Sequence, residues 1–213
     1  MPNESPVITI ETPEKFQFAC ERAAELLAAG EIVALPTETV YGLAANALDE
    51  AAVARIFEAK GRPAHNPIIV HVADVEMARR YALDWPAAAD RLACEYWPGP
   101  LTLVVERSSE IPDLVAAGGS TVGLRQPRHA FFNAVIQRCG FPIAAPSANV
   151  SNQVSPTSAD HVRRQLAGRV PLIVDGGPCD VGIESTVLDV TGEVPVILRP
   201  GMIDAEEIAR VIG

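Results

Sequence analysis

Lys60 and Arg62 stand on either side of one glycine in Lys60-Gly61-Arg62-Pro63-Ala64-His65-Asn66-Pro67, which runs directly into Ile68-Ile69-Val70-His71. The chain has 17 basic residues, and Lys60 is one of only two lysines among them. An ammonium and a guanidinium at this spacing, on backbone stiffened by prolines, suit a polyanion such as a nucleotide triphosphate. The guanidinium forks onto phosphate oxygens and the ammonium adds a compact point charge. The same residues also make an ordinary solvated turn, so the segment needs support from the rest of the chain.

That support lies in the way apolar runs end. Leu35 leads into Pro36-Thr37-Glu38-Thr39-Val40-Tyr41-Gly42-Leu43, Val70 into His71, Leu124 into Arg125-Gln126-Pro127, Ala145 into Pro146-Ser147-Ala148-Asn149, and Leu198 into Arg199-Pro200-Gly201. Ligands of open α/β sheets bind in the crevice outside strand ends, so five such clusters are expected to share one site. Each cluster alone has a plain structural alternative. Pro36–Thr39 and Pro146–Asn149 could be turns whose side chains bond their own backbone. Arg125 and Arg199 could be surface ion-pair partners, and His71 a satisfied core histidine. Gly176-Gly177-Pro178 could be a tight turn. It is their joint occurrence, in this order, that favours a site. No GxxxxGK[ST] loop, strand-linked GxGxxG or G-x-S-x-G elbow is present. Phosphates would therefore be held by side chains, chiefly Lys60, Arg62 and Arg199, with hydroxyls from Ser147 and Ser155.

The elements that must position these residues alternate. Strands are expected at residues 7–10, 32–35, 68–72, 101–105, 121–124, 142–145, 172–174, 185–190 and 196–198. Helices are expected from Thr12 (an N-cap followed by Pro13) to Gly30, over 49–59, 75–81, 86–96 and 129–139, and starting at Ser158 and Asp204. Continuous aliphatic strands interleaved with helices predict an α/β fold: one layered domain over 1–213 with a twisted, mostly buried mixed β-sheet flanked by helices.

Composition narrows the classes. At 213 residues, 48% apolar and mean hydropathy +0.17, the chain can bury a sizeable core, mostly aliphatic because aromatics are 5%. No apolar run is long enough to span a bilayer, and Met1–Ser5 lacks the basic start and apolar stretch of a leader. A soluble cytoplasmic protein with no membrane partner is expected. Cys20, Cys94, Cys139 and Cys179 are far apart with no C-x-x-C pair, which predicts buried free thiols rather than disulfides or zinc. A formal charge of −10 argues against a long nucleic-acid ligand but not against a small anion in one pocket.

Taken together, these motifs resemble the YrdC-like family of threonylcarbamoyl-AMP synthases. The matching segments are 35–43, Lys60-Gly61-Arg62-Pro63 with Asn66-Pro67 and His71, and Trp97-Pro98-Gly99-Pro100-Leu101-Thr102. Arg125-Gln126-Pro127, Pro146-Ser147-Ala148-Asn149, Glu184-Ser185-Thr186-Val187-Leu188-Asp189 and Leu198-Arg199-Pro200-Gly201 complete the set. The resemblance implies synthesis of threonylcarbamoyl-adenylate and pyrophosphate from ATP, bicarbonate and L-threonine, for N6-threonylcarbamoyladenosine in tRNA. It implies an ATP side of Lys60, Arg62, Asn66, Thr121, Ser147, Asn149, Ser155 and Arg199, and a threonine side of Thr39, His71, Arg125, Ala145 and Ser185. Lys60, Arg62 and His71 are the catalytic candidates, with His71 either accepting a proton or positioning substrate. Arg125 can fork onto the amino-acid carboxylate, Thr39 and Ser185 can bond its polar groups, and Ala145 can act only through its backbone. Mg²⁺ is expected to arrive on the phosphates, with no dedicated metal cage. Downstream tRNA threonylcarbamoyl-transfer proteins are expected partners, with direct tRNA binding weak or absent. Some members carry a second C-terminal domain on a linker; ending at Gly213, this sequence is expected to be the single-domain form.

Two rivals follow from the same resemblance. One is a paralogue making carbamoyl-adenylate. The other is a non-catalytic RNA-binding module, which would need a basic face built from Lys60, Arg62, Arg125, Arg128 and Arg199.

Overall fold

The computed structural model describes residues 5–63 and 65–213, so residues 1–4, within the stretch inspected for a leader, lie outside it. The elements follow in the order β1 (Val7–Thr9), α1 (Pro13–Ala28), β2 (Val33–Leu35), β3 (Gly42–Asn46), α2 (Glu50–Lys60), β4 (Val70–His71), α3 (Val75–Tyr81), α4 (Ala87–Tyr96) and β5 (Leu101–Glu106). Then come β6 (Thr121–Arg125), α5 (Ala130–Cys139), β7 (Ile143–Ala144), α6 (Ala159–Leu166), β8 (Ile173–Asp175), β9 (Thr186–Asp189), β10 (Val196–Arg199) and α7 (Ala205–Ile212). The helix starts obey local chemistry. The Thr12 hydroxyl accepts from Lys15 N ahead of Pro13, and Asp49 caps α2 by accepting from Ala51 N and Ala52 N. Asp204 and Glu207 form a reciprocal capping box on α7. Gly61 ends α2 in the left-handed region at φ 59°, which a side chain would resist.

The ten strands form one mixed sheet in the order β1-β8-β2-β3-β7-β4-β6-β5-β9-β10. The mixed α/β expectation holds. Sequence patterning passes over β3, because Gly42-Leu43-Ala44-Ala45-Asn46 is poor in β-branched and aromatic residues. It is a strand because it lies between β2 and β7, antiparallel to both.

Side-chain parity divides the two faces. Ala34, Leu43, Ala45, Val70, Leu101, Leu103, Val105, Leu124, Ala144, Ile173 and Leu188 join a core with Val53, Ile56, Tyr81, Leu92, Val162 and Ile208 from the helices on one side. The alternate residues Val33, Leu35, Ala44, Ile143, Leu172 and Val174 pack on the other side against Ala23 and Leu27 of α1 and Phe131, Phe132, Val135 and Ile136 of α5. This second core takes no buried side chain from β5, β6, β9 or β10 among the described residues. One face of the sheet is thus covered along its length and the other along half of it.

The four cysteines are free, but only Cys20 is buried. Cys94 faces solvent from α4, and Cys139 and Cys179 are half-buried, so the expectation of buried thiols holds for one of the four. No described helix is long and apolar enough to cross a membrane.

Candidate active site

On the uncovered half-face, positions opposite in parity to the core carry polar or small groups: His71 on β4, Thr121, Gly123 and Arg125 on β6, and Thr102 on β5. Register brings Ile143, His71 and Arg125 side by side across β7, β4 and β6. The loop after β2, the turn after β7 and the end of β10 close around this strip. They complete a pocket lined by Thr37, Thr39, Val40, Gly42, Ile69, His71, Arg125, Ala145, Pro146, Ser147, Glu184, Ser185 and Arg199.

The expected crevice outside strand ends draws on both ends of the strands. β2 and β7 run opposite to β4 and β6, so the ends carrying Thr39 and Ser147 and those carrying His71 and Arg125 lie on opposite edges of the sheet. They meet because β4 and β7 are two residues long, roughly 7 Å at about 3.3 Å per residue. The site crosses the sheet face.

Arg125 is the centre of one half. It is 4% exposed, and its Nη2 lies 2.8 Å from Oε1 of Glu38, itself 2% exposed. The approach is that of an ion pair rather than an aligned hydrogen bond, and neither Glu38 oxygen has a hydrogen-bond donor among the described residues. Arg125 Nε donates to Gly99 O at 3.1 Å and Nη2 to Thr39 Oγ1 at 3.0 Å. The two-pronged fork expected to receive a carboxylate is therefore half committed inside the protein, and Nη1 is the nitrogen left for a ligand. Thr39 is similarly constrained. An arginine can only donate, so the Thr39 oxygen accepts from it. The Thr39 hydrogen then points to Thr37 Oγ1, 2.9 Å away, while Thr37 donates to Val40 O at 2.7 Å. What Thr39 offers a ligand is a lone pair.

His71 is 3% exposed, packs against Phe132 with ring centroids 5.0 Å apart, and has a buried Nδ1 with no partner among the described residues. Burial first, and the Arg125 charge second, push its pKa down to about 3. A neutral imidazole this weakly basic favours positioning over proton acceptance, the other of the two expected roles. Ala145 gives its N–H to Ile69 O at 3.0 Å. It lies against Gly42, where a Cβ would come within 3.2 Å of its own. These two small residues keep that wall open.

Arg199 centres the other half. Nε and Nη2 donate to Ser185 O at 3.1 and 2.9 Å, Nη2 also reaches Ser185 Oγ at 3.0 Å, and Nη1 is paired with Glu184. Ser185 Oγ is 2.8 Å from Thr102 Oγ1, which fixes Ser185 against β5. Ser155 Oγ donates to Glu184 Oε1 at 2.9 Å. Burial is the first cause that lowers the proton affinity of Arg62 and Arg199; Glu184 acts in the opposite sense on both.

Lys60 and Asn149 depart most from the sequence reading. Lys60 is 1% exposed and does not line the pocket. Its ammonium donates to Ser147 O, to Asn149 O at 2.6 Å and to Asn149 Oδ1 at 3.5 Å, so its three protons bind the 147–149 turn to the end of α2. Burial and then Arg62 push its pKa down to about 7. The Asn149 amide donates to Val150 O and Gln153 O, the self-bonded turn weighed as an alternative. Arg62 uses Nε and Nη2 on Asn66 O and Pro67 O, shaping its own turn. Thr121 sits four residues along β6 from Arg125, roughly 13 Å away, at the far end of the open face.

Thus Thr39, His71, Arg125, Ala145, Ser147, Ser185 and Arg199 are brought together in the pocket. Ser155 reaches it through Glu184 and Lys60 through Ser147, while Arg62, Asn66, Thr121 and Asn149 lie outside its lining. Sequence reasoning gave no role to Glu38, Thr102 or Glu184. The available signal was the cations: a buried arginine needs a carboxylate nearby, and each cluster holding one of these acids was in view. Among the described residues no group of three or more His, Cys, Asp or Glu is placed to hold a metal ion.

On a half-covered mixed sheet, one pocket thus sets a cationic, hydroxyl-rich half beside a buried arginine–carboxylate pair, the chemistry of a small-charged-ligand site. The family model Sua5_yciO_yrdC, described as telomere recombination, matches residues 25–201, and the chain belongs to this family. It is 52% identical over 191 residues to the threonylcarbamoyl-AMP synthase of Pyrococcus abyssi, covering 90% of this chain and 56% of that protein. It is 38% identical over 202 residues to a putative threonylcarbamoyl-AMP synthase of Mycobacterium tuberculosis (strain H37Rv), covering 94% and 92%. The crystal structure of P. abyssi Sua5 complexed with L-threonine superposes with a TM-score of 0.93 at 48% identity, covering 98% of this chain and 61% of that one. The chain spans about half the length of the P. abyssi and Bacillus subtilis synthases that it matches, 56% of each.

Proposed function

We propose that the chain forms threonylcarbamoyl-adenylate and pyrophosphate from ATP, bicarbonate or CO2, and L-threonine, for N6-threonylcarbamoyladenosine in tRNA. The observation that supports this reading is that two unlike half-sites line one pocket, Arg125 with Thr39 on one side and Arg199 with Ser147 and Ser185 on the other. The free Nη1 of Arg125 takes the threonine carboxylate, and the Thr39 lone pair takes an N–H or O–H of the amino acid. Arg199, Arg62 and the Ser147 and Ser155 hydroxyls face the phosphates.

The amine of threonine adds to CO2 with release of a proton to solvent, or to bicarbonate with loss of water, giving a carbamate. A carbamate oxygen attacks the α-phosphorus of ATP, the bond to the bridging oxygen breaks, and pyrophosphate leaves. The protein's contribution is orientation and fixed positive charge where negative charge develops. Neutral His71 forms a wall and takes no proton. Mg²⁺ enters on the triphosphate, as it commonly does, and Glu184 is the carboxylate among the cations there. The adenylate passes to downstream tRNA threonylcarbamoyl-transfer proteins in the cytoplasm.

The RNA-binding alternative needs a basic face. Lys60 and Arg125 are buried and Arg199 is paired with Glu184, which leaves Arg62 and Arg128 of the five candidates. The test is pyrophosphate release from Mg-ATP, bicarbonate and L-threonine. Release that depends on threonine supports the synthase; release indifferent to threonine, or none alongside tight RNA binding, refutes it.

A further inference from the structure

Resting on the reading of the Arg199 half as the triphosphate subsite, we propose that Glu184 is an internal anion. Its carboxylate occupies the cationic hollow until a polyphosphate displaces it, and so selects against singly charged anions.

Glu184 lines the pocket and pairs through Oε2 with Arg199 Nη1, while Oε1 accepts from Ser155 Oγ at 2.9 Å. Its negative charge also acts on Lys60, Arg62 and Arg199, raising the proton affinity of each. Without it the hollow would hold cations that repel one another: Arg62 lowers the proton affinity of Lys60, and Arg199 that of Arg62. One carboxylate thus satisfies Arg199 Nη1 and Ser155 Oγ, two of the groups that an incoming phosphate needs.

The carboxylate can leave without moving the frame. Ser185, the next residue, is held by Arg199 and Thr102, and the preceding loop is tied by Val181 N to Glu38 O and Gly182 N to Thr39 O. The Glu184 side chain keeps 35% of its surface in solvent, so torsion about its own bonds carries it outward. A monoanion that replaces it merely exchanges one charge for another. A triphosphate brings several charges to the same cations and tolerates the exchange, which makes phosphate count the basis of selection.

The test is calorimetric titration of wild type, Glu184→Gln and Glu184→Ala with ATP, inorganic tripolyphosphate and orthophosphate in magnesium-free buffer. Glutamine keeps the volume and an oxygen for Ser155 but loses the charge. Both variants are expected to bind tripolyphosphate roughly five- to tenfold tighter than wild type. Orthophosphate binding should gain at least as much, and pyrophosphate should inhibit turnover more strongly. Unchanged or weaker tripolyphosphate binding overturns the proposal, and so does failure of both variants to fold, which would make Glu184 a brace. Tighter tripolyphosphate binding without any ATP binding keeps the displacement and ends the nucleotide reading. ATP binding that is the same in all three proteins does the reverse.

Discussion

Removing Arg125 should damage the fold as well as the site, and removing Glu38 with it should repair the fold alone. The pair sits 2.8 Å apart with side chains 5% and 1% exposed. At that distance, with an effective dielectric of about 20, the Coulomb attraction is about 6 kcal/mol, most of it offset by the desolvation of both ions. The asymmetry matters more. In Arg125→Leu the Glu38 carboxylate stays buried with no cation and no hydrogen-bond donor, a cost of about 3–5 kcal/mol. For a chain of this size that lowers the melting temperature on the order of 10 °C. Adding Glu38→Gln removes the stranded charge and should recover most of the loss, while threonine-dependent pyrophosphate release stays absent in both. The assay is a double-mutant cycle in urea, with wild type and Glu38→Gln as the other corners, followed by activity measurements on the folded proteins. If the single and double variants are equally stable, Glu38 carries no stranded charge and the reasoning fails. If the double variant regains threonine dependence, Arg125 is not the carboxylate receptor.

Four further outcomes follow from the same geometry. Lys60→Met removes the donors that hold Ser147 and Asn149, so ATP binding should weaken at least tenfold, at about 1.4 kcal/mol per decade. Since the native chain releases the Lys60 proton near pH 7 and the unfolded chain near 10.5, the unfolded state binds more protons between those values, and wild-type stability should rise with pH there. Urea titrations at pH 7 and 9 should show that rise in wild type and not in Lys60→Met. His71→Asn should leave the shape of the pH–rate profile between pH 5 and 9 unchanged, because a group with a pKa of about 3 does not titrate in that range; a lost limb would restore His71 as a base. Gly42→Val places branched carbons where a Cβ is already 3.2 Å from Ala145, so KM for threonine should rise several-fold with KM for ATP nearly unchanged; equal changes in both would move Gly42 out of the threonine half.

Much of the fold follows from local signals in the chain. Thr12-Pro13, Asp49, Ser158 and Asp204 start helices because short polar side chains satisfy free backbone N–H groups, a matter of three or four neighbouring residues. Aliphatic runs such as Leu101–Val105 become strands for equally local reasons. β3 was invisible because its alanines and glycine have no strand preference, and two neighbouring strands supply what its composition lacks.

The cast of the site was also legible: Thr39, His71, Arg125, Ser147 and Arg199 stand out as polar residues after apolar runs, the resemblance adds Ser185, and all six line one pocket. Their roles were not legible. Lys60 and Arg62 look alike as cations on a short turn, yet α2 buries the Lys60 ammonium under the 147–149 turn while Arg62 folds over its own loop. His71 has the same imidazole in any sequence, and only its enclosure beside Arg125 and Phe132 drives its pKa down to about 3. Residue type and spacing along the chain therefore determined which polar groups could gather at one site. Burial and the pairing of Glu38 with Arg125 and Glu184 with Arg199 decided which are free to do so, because charge and hydrogen-bonding capacity depend on what lies within a few ångströms in space.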